Sequence, residues 1–168
     1  MGVSGCGKST VGGLLATALG HAFVEGDSLH PPHNVALMAA GTALTDADRA
    51  GWLATIASRL GASQAGGQGL VVSCSALKRS YRAQLRAACP GLRFIYLHGT
   101  AEQLRARLHS RSGHYMPASL LDSQLATLQA PEGCEQALVF NIDQPAAQIA
   151  AAACRQLTQD SLAPLNPT

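Results

Sequence analysis

Apolar residues alternate along this chain between two kinds of run. Short blocks of continuous hydrophobics, AFVE, LVVSC, RFIYLHG and ALVFNID, read as strands, and their near-continuous apolar character is that of strands in a parallel sheet. Between them lie longer stretches with helical spacing. After the opening residues, 8–19 carries Val11, Leu14, Leu15, Ala18 and Leu19 on one face, weakened by Gly12 and Gly13. HPPHNVALMAAG begins a second helix, with prolines in its first turn. Thr45 and Asp48 have the spacing of a capping pair for a third over 46–60, after which ASQAGGQG reads as a flexible turn. KRSYRAQLRAA, AEQLRARLHSRS (capped by Thr100), PASLLDSQLATLQ and AAQIAAAACRQL complete the set. Strands alternating with helices predict a three-layer α/β sandwich on a parallel sheet.

With 168 residues the chain is sized for one domain, placed at 1–159, and the tail at 160–168, DSLAPLNPT, is expected to fray. Hydrophobic residues make up 47% and charged ones 13%, a globular composition. A net charge of +2 is too small for a nucleic-acid binder. Five cysteines without a C-x-x-C pair fit reduced thiols, which predicts a cytoplasmic protein, and no segment has the roughly 20 apolar residues of a membrane span.

The first ten residues, MGVSGCGKST, carry the chemistry. Gly2, Gly7, Lys8 and Ser9 complete G-x-x-x-x-G-K-[ST], the phosphate loop of P-loop nucleotide-binding proteins. Gly2, Val3, Ser4, Gly5, Cys6, Gly7, Lys8, Ser9 and Thr10 are therefore the candidate ATP-binding residues. Backbone N–H groups at the helix start face phosphate oxygens, Lys8 spans the transferred phosphate, and Ser9 offers its hydroxyl to Mg²⁺. The loop normally follows a buried central strand, yet only Met1 precedes it. We expect such a strand upstream of Met1; without it, the loop would be anchored at one end only.

The acceptor site is expected at the carboxyl ends of the strands. Asp27 follows AFVEG there, with His30 close behind, and the next strand leads into Ser75 and Lys78. Asp27 can take a hydroxyl proton or hold the metal's water shell; the alternative is a helix cap. Arg49, Lys78, Arg82, Arg107 and Arg111 fall near the same edge and suggest an anionic site. LVVSC ends without the aspartate of many P-loop ATPases, which favours a small-molecule kinase with Asp27 in that duty.

GDSLHPPHNVALMAAGTALTDADRAGWL, VVSCSALKRSYRAQLR, the stretch from FIYLHG to LQAPE, and NIDQP resemble the bacterial-type gluconokinases in order and spacing. The GD-x-x-H-P and CSALK-x-x-YR segments are far more specific than the phosphate loop. The resemblance implies a nucleoside-monophosphate-kinase-like fold, frequently dimeric, that uses ATP to phosphorylate D-gluconate at its 6-hydroxyl. It implies Asp27 as base and substrate anchor, with His30, Arg49, Lys78, Arg82 and His114 around the gluconate. It also implies a lid at about 107–118, whose Arg107 and Arg111 close on the phosphates. Shikimate kinases, and a non-catalytic nucleotide-binding protein lacking its first strand, are the competing readings.

Overall fold

In the computed structural model, residues 1–109 and 118–162 are described, with side chains given for 1–109 and 120–159. The order of elements is α1 (Lys8–Leu19), β1 (Ala22–Glu25), α2 (Pro32–Ala39), α3 (Asp46–Ala65), β2 (Leu70–Ser73), α4 (Arg79–Ala88), β3 (Ile95–His98), α5 (Ala101–His109), α6 (Ala118–Thr127), β4 (Leu138–Asn141) and α7 (Ala146–Leu162). Short 3₁₀ turns occupy Gly26–Leu29 and Gly133–Glu135. All strand pairings are parallel: Ala22 to Glu25 lie against Leu70 to Ser73, and Ile95 to His98 against Leu138 to Asn141.

Local chemistry explains the boundaries. Thr45 and Asp48 form the predicted reciprocal capping box at the start of α3: the Asp48 amide donates to Thr45 Oγ1 at 3.2 Å and the Thr45 amide to Asp48 Oδ2 at 2.7 Å. Thr100 and Gln103 form the equivalent pair before α5. The third helix runs five residues beyond the sequence-based end, because Ala62 to Ala65 tolerate helix, and stops at the glycine pair whose second member, Gly67, has φ +66°. Likewise α7 continues to Leu162, into the stretch expected to fray; 163–168 lie outside the described residues.

Two hydrophobic cores flank the strands. One joins α1 and α7 through Val11, Leu15, Leu97, Phe140 and Ile149; the other joins α3 and α4 through Trp52, Leu53, Ile56, Tyr81 and Leu85. Between β2 and β3 the sheet parts into two two-stranded halves. A cavity of about 760 Å³ lies there, lined by Val11, Leu15, Leu70, Val72, Ile95 and Leu97 among others. Hence Leu70 to Val72 are only half-buried, where their apolar run predicted full burial. The halves are joined at one end by Met1 and Gly2. The Met1 amine donates to the Ile95 carbonyl, the Leu97 amide donates to the Met1 carbonyl at 3.0 Å, and the Gly2 amide donates to the Ser75 carbonyl at 3.2 Å. The phosphate loop is thus anchored on both sides. Among the described residues no helix is long and apolar enough to cross a membrane.

Candidate functional site

The loop between Met1 and α1 turns on its glycines. Gly2, Gly5 and Gly7 have φ of +137°, +81° and +91°, all in the region that side chains disfavour. A Cβ on Gly2 would stand 2.5 Å from the Leu97 carbonyl oxygen, so only glycine lets the backbone pass β3. Val3 and Cys6 are buried and pin the loop to the core, while Ser9 and Thr10 are exposed at the start of α1. Lys8 Nζ donates to the Val3 carbonyl at 3.0 Å, and the Ser4 amide donates to Gln124 Oε1 of α6 at 2.7 Å. Arg107 of α5 brings its guanidinium to 3.7 Å from where a Cβ on Gly7 would be, beside the phosphate loop. Arg111, His114 and most of the expected lid lie outside the described residues.

A second cavity, of about 50 Å³, connects this loop to the acceptor side. Ser4 and Lys8 line it together with Asp27, His30, Arg49 and Ser75. Asp27 sits in the 3₁₀ turn directly after β1, exposed, and among the described residues its carboxylate accepts no hydrogen bond. It caps neither that turn nor α2, whose cap position is Pro31. The helix-cap alternative therefore has no support in the geometry. His30 stacks on Trp52 with centroids 4.2 Å apart and planes 13° from parallel; burial holds its pKa below the usual histidine value. Trp52 is fixed in turn by its Nε1–H, which donates to the Gly26 carbonyl at 2.7 Å.

The expected cationic clamp divides. Arg49 lines the cavity, mostly buried, and donates to Tyr81 Oη at 3.3 Å. Lys78 lies outside the cavity lining and holds both oxygens of Asp46 at 2.7 Å. Tyr81 Oη donates to the same carboxylate at 2.5 Å, and the bonds from Lys78 and Tyr81 hold the Asp46 pKa below the usual range. Asp46, not foreseen as a site residue, is thus an internal anion beside the cations assigned to a substrate carboxylate.

Arg82 requires a correction. It is fully buried and does not line the cavity. Its Nε and Nη2 form a bidentate pair with Glu135 at 2.6 and 2.7 Å, and Nη1 donates to the carbonyls of Ala76 and Leu77 at 3.0 and 3.1 Å. Ala76 has φ +43°, an unusual conformation for a residue with a side chain. Arg82 is therefore a strut that holds the turn between β2 and α4, with its charge spent on Glu135. The signal for this was legible in principle: Tyr81, Arg82 and Leu85 share the buried face of α4, and an arginine there requires a carboxylate partner.

A phosphate loop opening the first helix of a parallel α/β sandwich, joined by a cavity to a carboxylate at a strand's end that has no partner among the described residues, defines a P-loop kinase of small molecules. Consistently, the sequence model of the family described as Shikimate kinase matches residues 4–130. The gluconokinase of Gluconobacter oxydans (strain 621H) is 55% identical over 131 residues, covering 78% of this chain and 74% of the relative. The thermoresistant gluconokinase of Escherichia coli (strain K12) is 44% identical over 146 residues, 86% and 83% of the two chains. The crystal structure of a gluconokinase from Sinorhizobium meliloti 1021 superposes with a TM-score of 0.86 at 47% identity, covering 96% of this chain and 92% of that one. Within the P-loop kinases, this chain belongs to the gluconokinase family.

Proposed function

We propose that this protein transfers the γ-phosphoryl group of ATP to the 6-hydroxyl of D-gluconate. The observation that carries the reading is the shared cavity, in which Lys8 and Ser4 of the phosphate loop meet Asp27, His30 and Arg49. One side supplies the phosphate cradle and the other a base, a ring nitrogen and a cation, which is what a hydroxylated carboxylic acid needs. Gluconokinase is also the name its relatives carry.

In this reading the Asp27 carboxylate takes the proton of the acceptor hydroxyl as its oxygen bonds to phosphorus and the bond to ADP breaks. Lys8 gives up the Val3 carbonyl and moves onto the transferred phosphoryl oxygens, and Arg107, already beside Gly7, adds a second positive charge. Ser9 and Asp27 both offer hard oxygen ligands and are the residues that would hold Mg²⁺. Such an ion would neutralise phosphate charge during transfer. Arg49 and Lys78 meet the substrate carboxylate, in competition with Asp46.

ADP release measured with gluconate, shikimate or no acceptor tests this function. Release that depends on gluconate supports it. Release with shikimate alone identifies the other acceptor, and none with either acceptor removes the kinase reading.

A further inference from the structure

Asn34, on α2, is buried, and its side chain reaches two groups, one of them the cavity-lining His30. One amide atom lies 2.7 Å from the Asp48 carbonyl oxygen. A backbone carbonyl can only accept, so that atom is Nδ2, a donor, and the orientation of the amide is fixed by chemistry. The same Nδ2 lies 3.4 Å from Nδ1 of His30. An NH₂ group facing a ring nitrogen at this distance favours that nitrogen as the unprotonated acceptor, which leaves the imidazole proton on Nε2. Trp52 closes one face of the ring by stacking, so His30 has little freedom to turn away.

We propose that Asn34 is a positioning residue: it holds His30 as a neutral imidazole protonated on Nε2, and thereby makes His30 a hydrogen-bond donor to a hydroxyl of the acceptor. This rests on the reading of the cavity as the site of a polyol acid. Charges around the ring do not oppose it. Asp27, on the 3₁₀ turn, favours the protonated ring, and Arg49 of α3 disfavours it, while burial is the largest influence and favours the neutral form. On α2 the facing group is the neutral Asn34, and the Asp48 carboxylate of α3 is engaged by Thr45.

Long-range ¹H–¹⁵N correlation on protein labelled at histidine reads the ring directly, with the His30 signals assigned by their loss in His30→Gln. The wild-type ring should carry its proton on Nε2 at pH 7. In Asn34→Asp, a carboxylate now facing Nδ1 should draw the proton to Nδ1. In Asn34→Leu, the tautomer should become mixed, with the gluconate KM up about tenfold and the ATP KM unchanged. A wild-type ring protonated on Nδ1, or charged at pH 7, overturns the proposal, as does a folded Asn34→Leu variant with unchanged ring signals. The ring measurement uses no substrate, so its outcome is independent of whether gluconate is the acceptor.

Discussion

Replacing Arg82 by methionine keeps most of the side chain's length and removes its charge and all of its donors. Glu135, itself only 6% exposed, would lose its ion-pair partner and both guanidinium bonds, keeping only the 3.4 Å bond from the Glu132 amide, and the carbonyls of Ala76 and Leu77 would lose their bonds from Nη1. Removing one member of a buried ion pair costs about 3–5 kcal/mol, because the surviving charge stays desolvated. At roughly 2–4 °C per kcal/mol for a domain of this size, the Tm should fall by about 6–20 °C. That leaves a protein that folds at room temperature if its stability lies well within the usual range of about 5–15 kcal/mol. Arg82→Met with Glu135→Leu should recover most of the loss, since an apolar pair carries no desolvation penalty. The pH dependence has a definite sign. Hydrogen bonding from Arg82 holds the Glu135 pKa below its ordinary value, so the pair's contribution is complete above the unfolded glutamate pKa of about 4.3 and fades as pH falls below it. Wild-type and Arg82→Met stabilities should converge toward acid pH. Thermal and urea unfolding followed by circular dichroism, with gluconate and ATP KM measured well below the variant's Tm, check the argument. A variant whose Tm moves by less than about 2 °C while the gluconate KM rises tenfold or more would refute it and return Arg82 to the substrate clamp.

The other predictions follow from the loop, the carboxylate and the divided sheet. Lys8→Ala should lower kcat by at least about a hundredfold, the loss of one transition-state charge worth roughly 3 kcal/mol; near-normal turnover removes the loop from the mechanism. Asp27→Asn should abolish transfer to gluconate with ATP binding retained and stability changed by less than about 1 kcal/mol, since Asp27 caps no helix; calorimetry beside the ADP assay separates the two. Four aliphatic residues fused ahead of Met1 should enter the cavity between β2 and β3 as a parallel strand. The fusion converts a Met1 amine whose pKa burial pushes down to about 6 into a neutral amide. At about 1.5–3 kcal/mol per buried side chain, the Tm should rise by at least about 10 °C, and an unchanged Tm counts against a strand site there.

Among the described residues, the alternation of apolar blocks and helical spacing matches the four strands and the helices in order, because buried parallel strands and amphipathic helices leave patterns within single segments. Thr45 with Asp48 was readable for the same reason: a capping box is a contact across three residues. The phosphate loop was readable because its glycines are required by backbone geometry. Glu135 was not. It sits in PEGCEQ, which looks like a polar loop, and its partner Arg82 lies 53 positions earlier. Asp46 was hidden in the same way, as one more acidic residue in a helix's first turn, although it engages Lys78 from 32 positions away. Gly12, read as a weakness in α1, also lies close to the Phe23 ring, which a Cβ there would meet at 2.8 Å and have to move. Long-range pairing of charges and close approach between elements have no local signature.

With Asp27 as base and Arg49 at the substrate carboxylate, a specific hydroxyl distant from that carboxylate receives the phosphate. Incubating the enzyme with ATP, Mg²⁺ and uniformly ¹³C-labelled gluconate and recording ³¹P–¹³C coupling on the product tests that claim most directly. The account predicts a single phosphomonoester whose phosphorus couples to C6 and C5, formed by wild-type protein and not by Asp27→Asn. Phosphorus on the carboxyl carbon or on an internal hydroxyl, or the same product formed at the wild-type rate by Asp27→Asn, would contradict it.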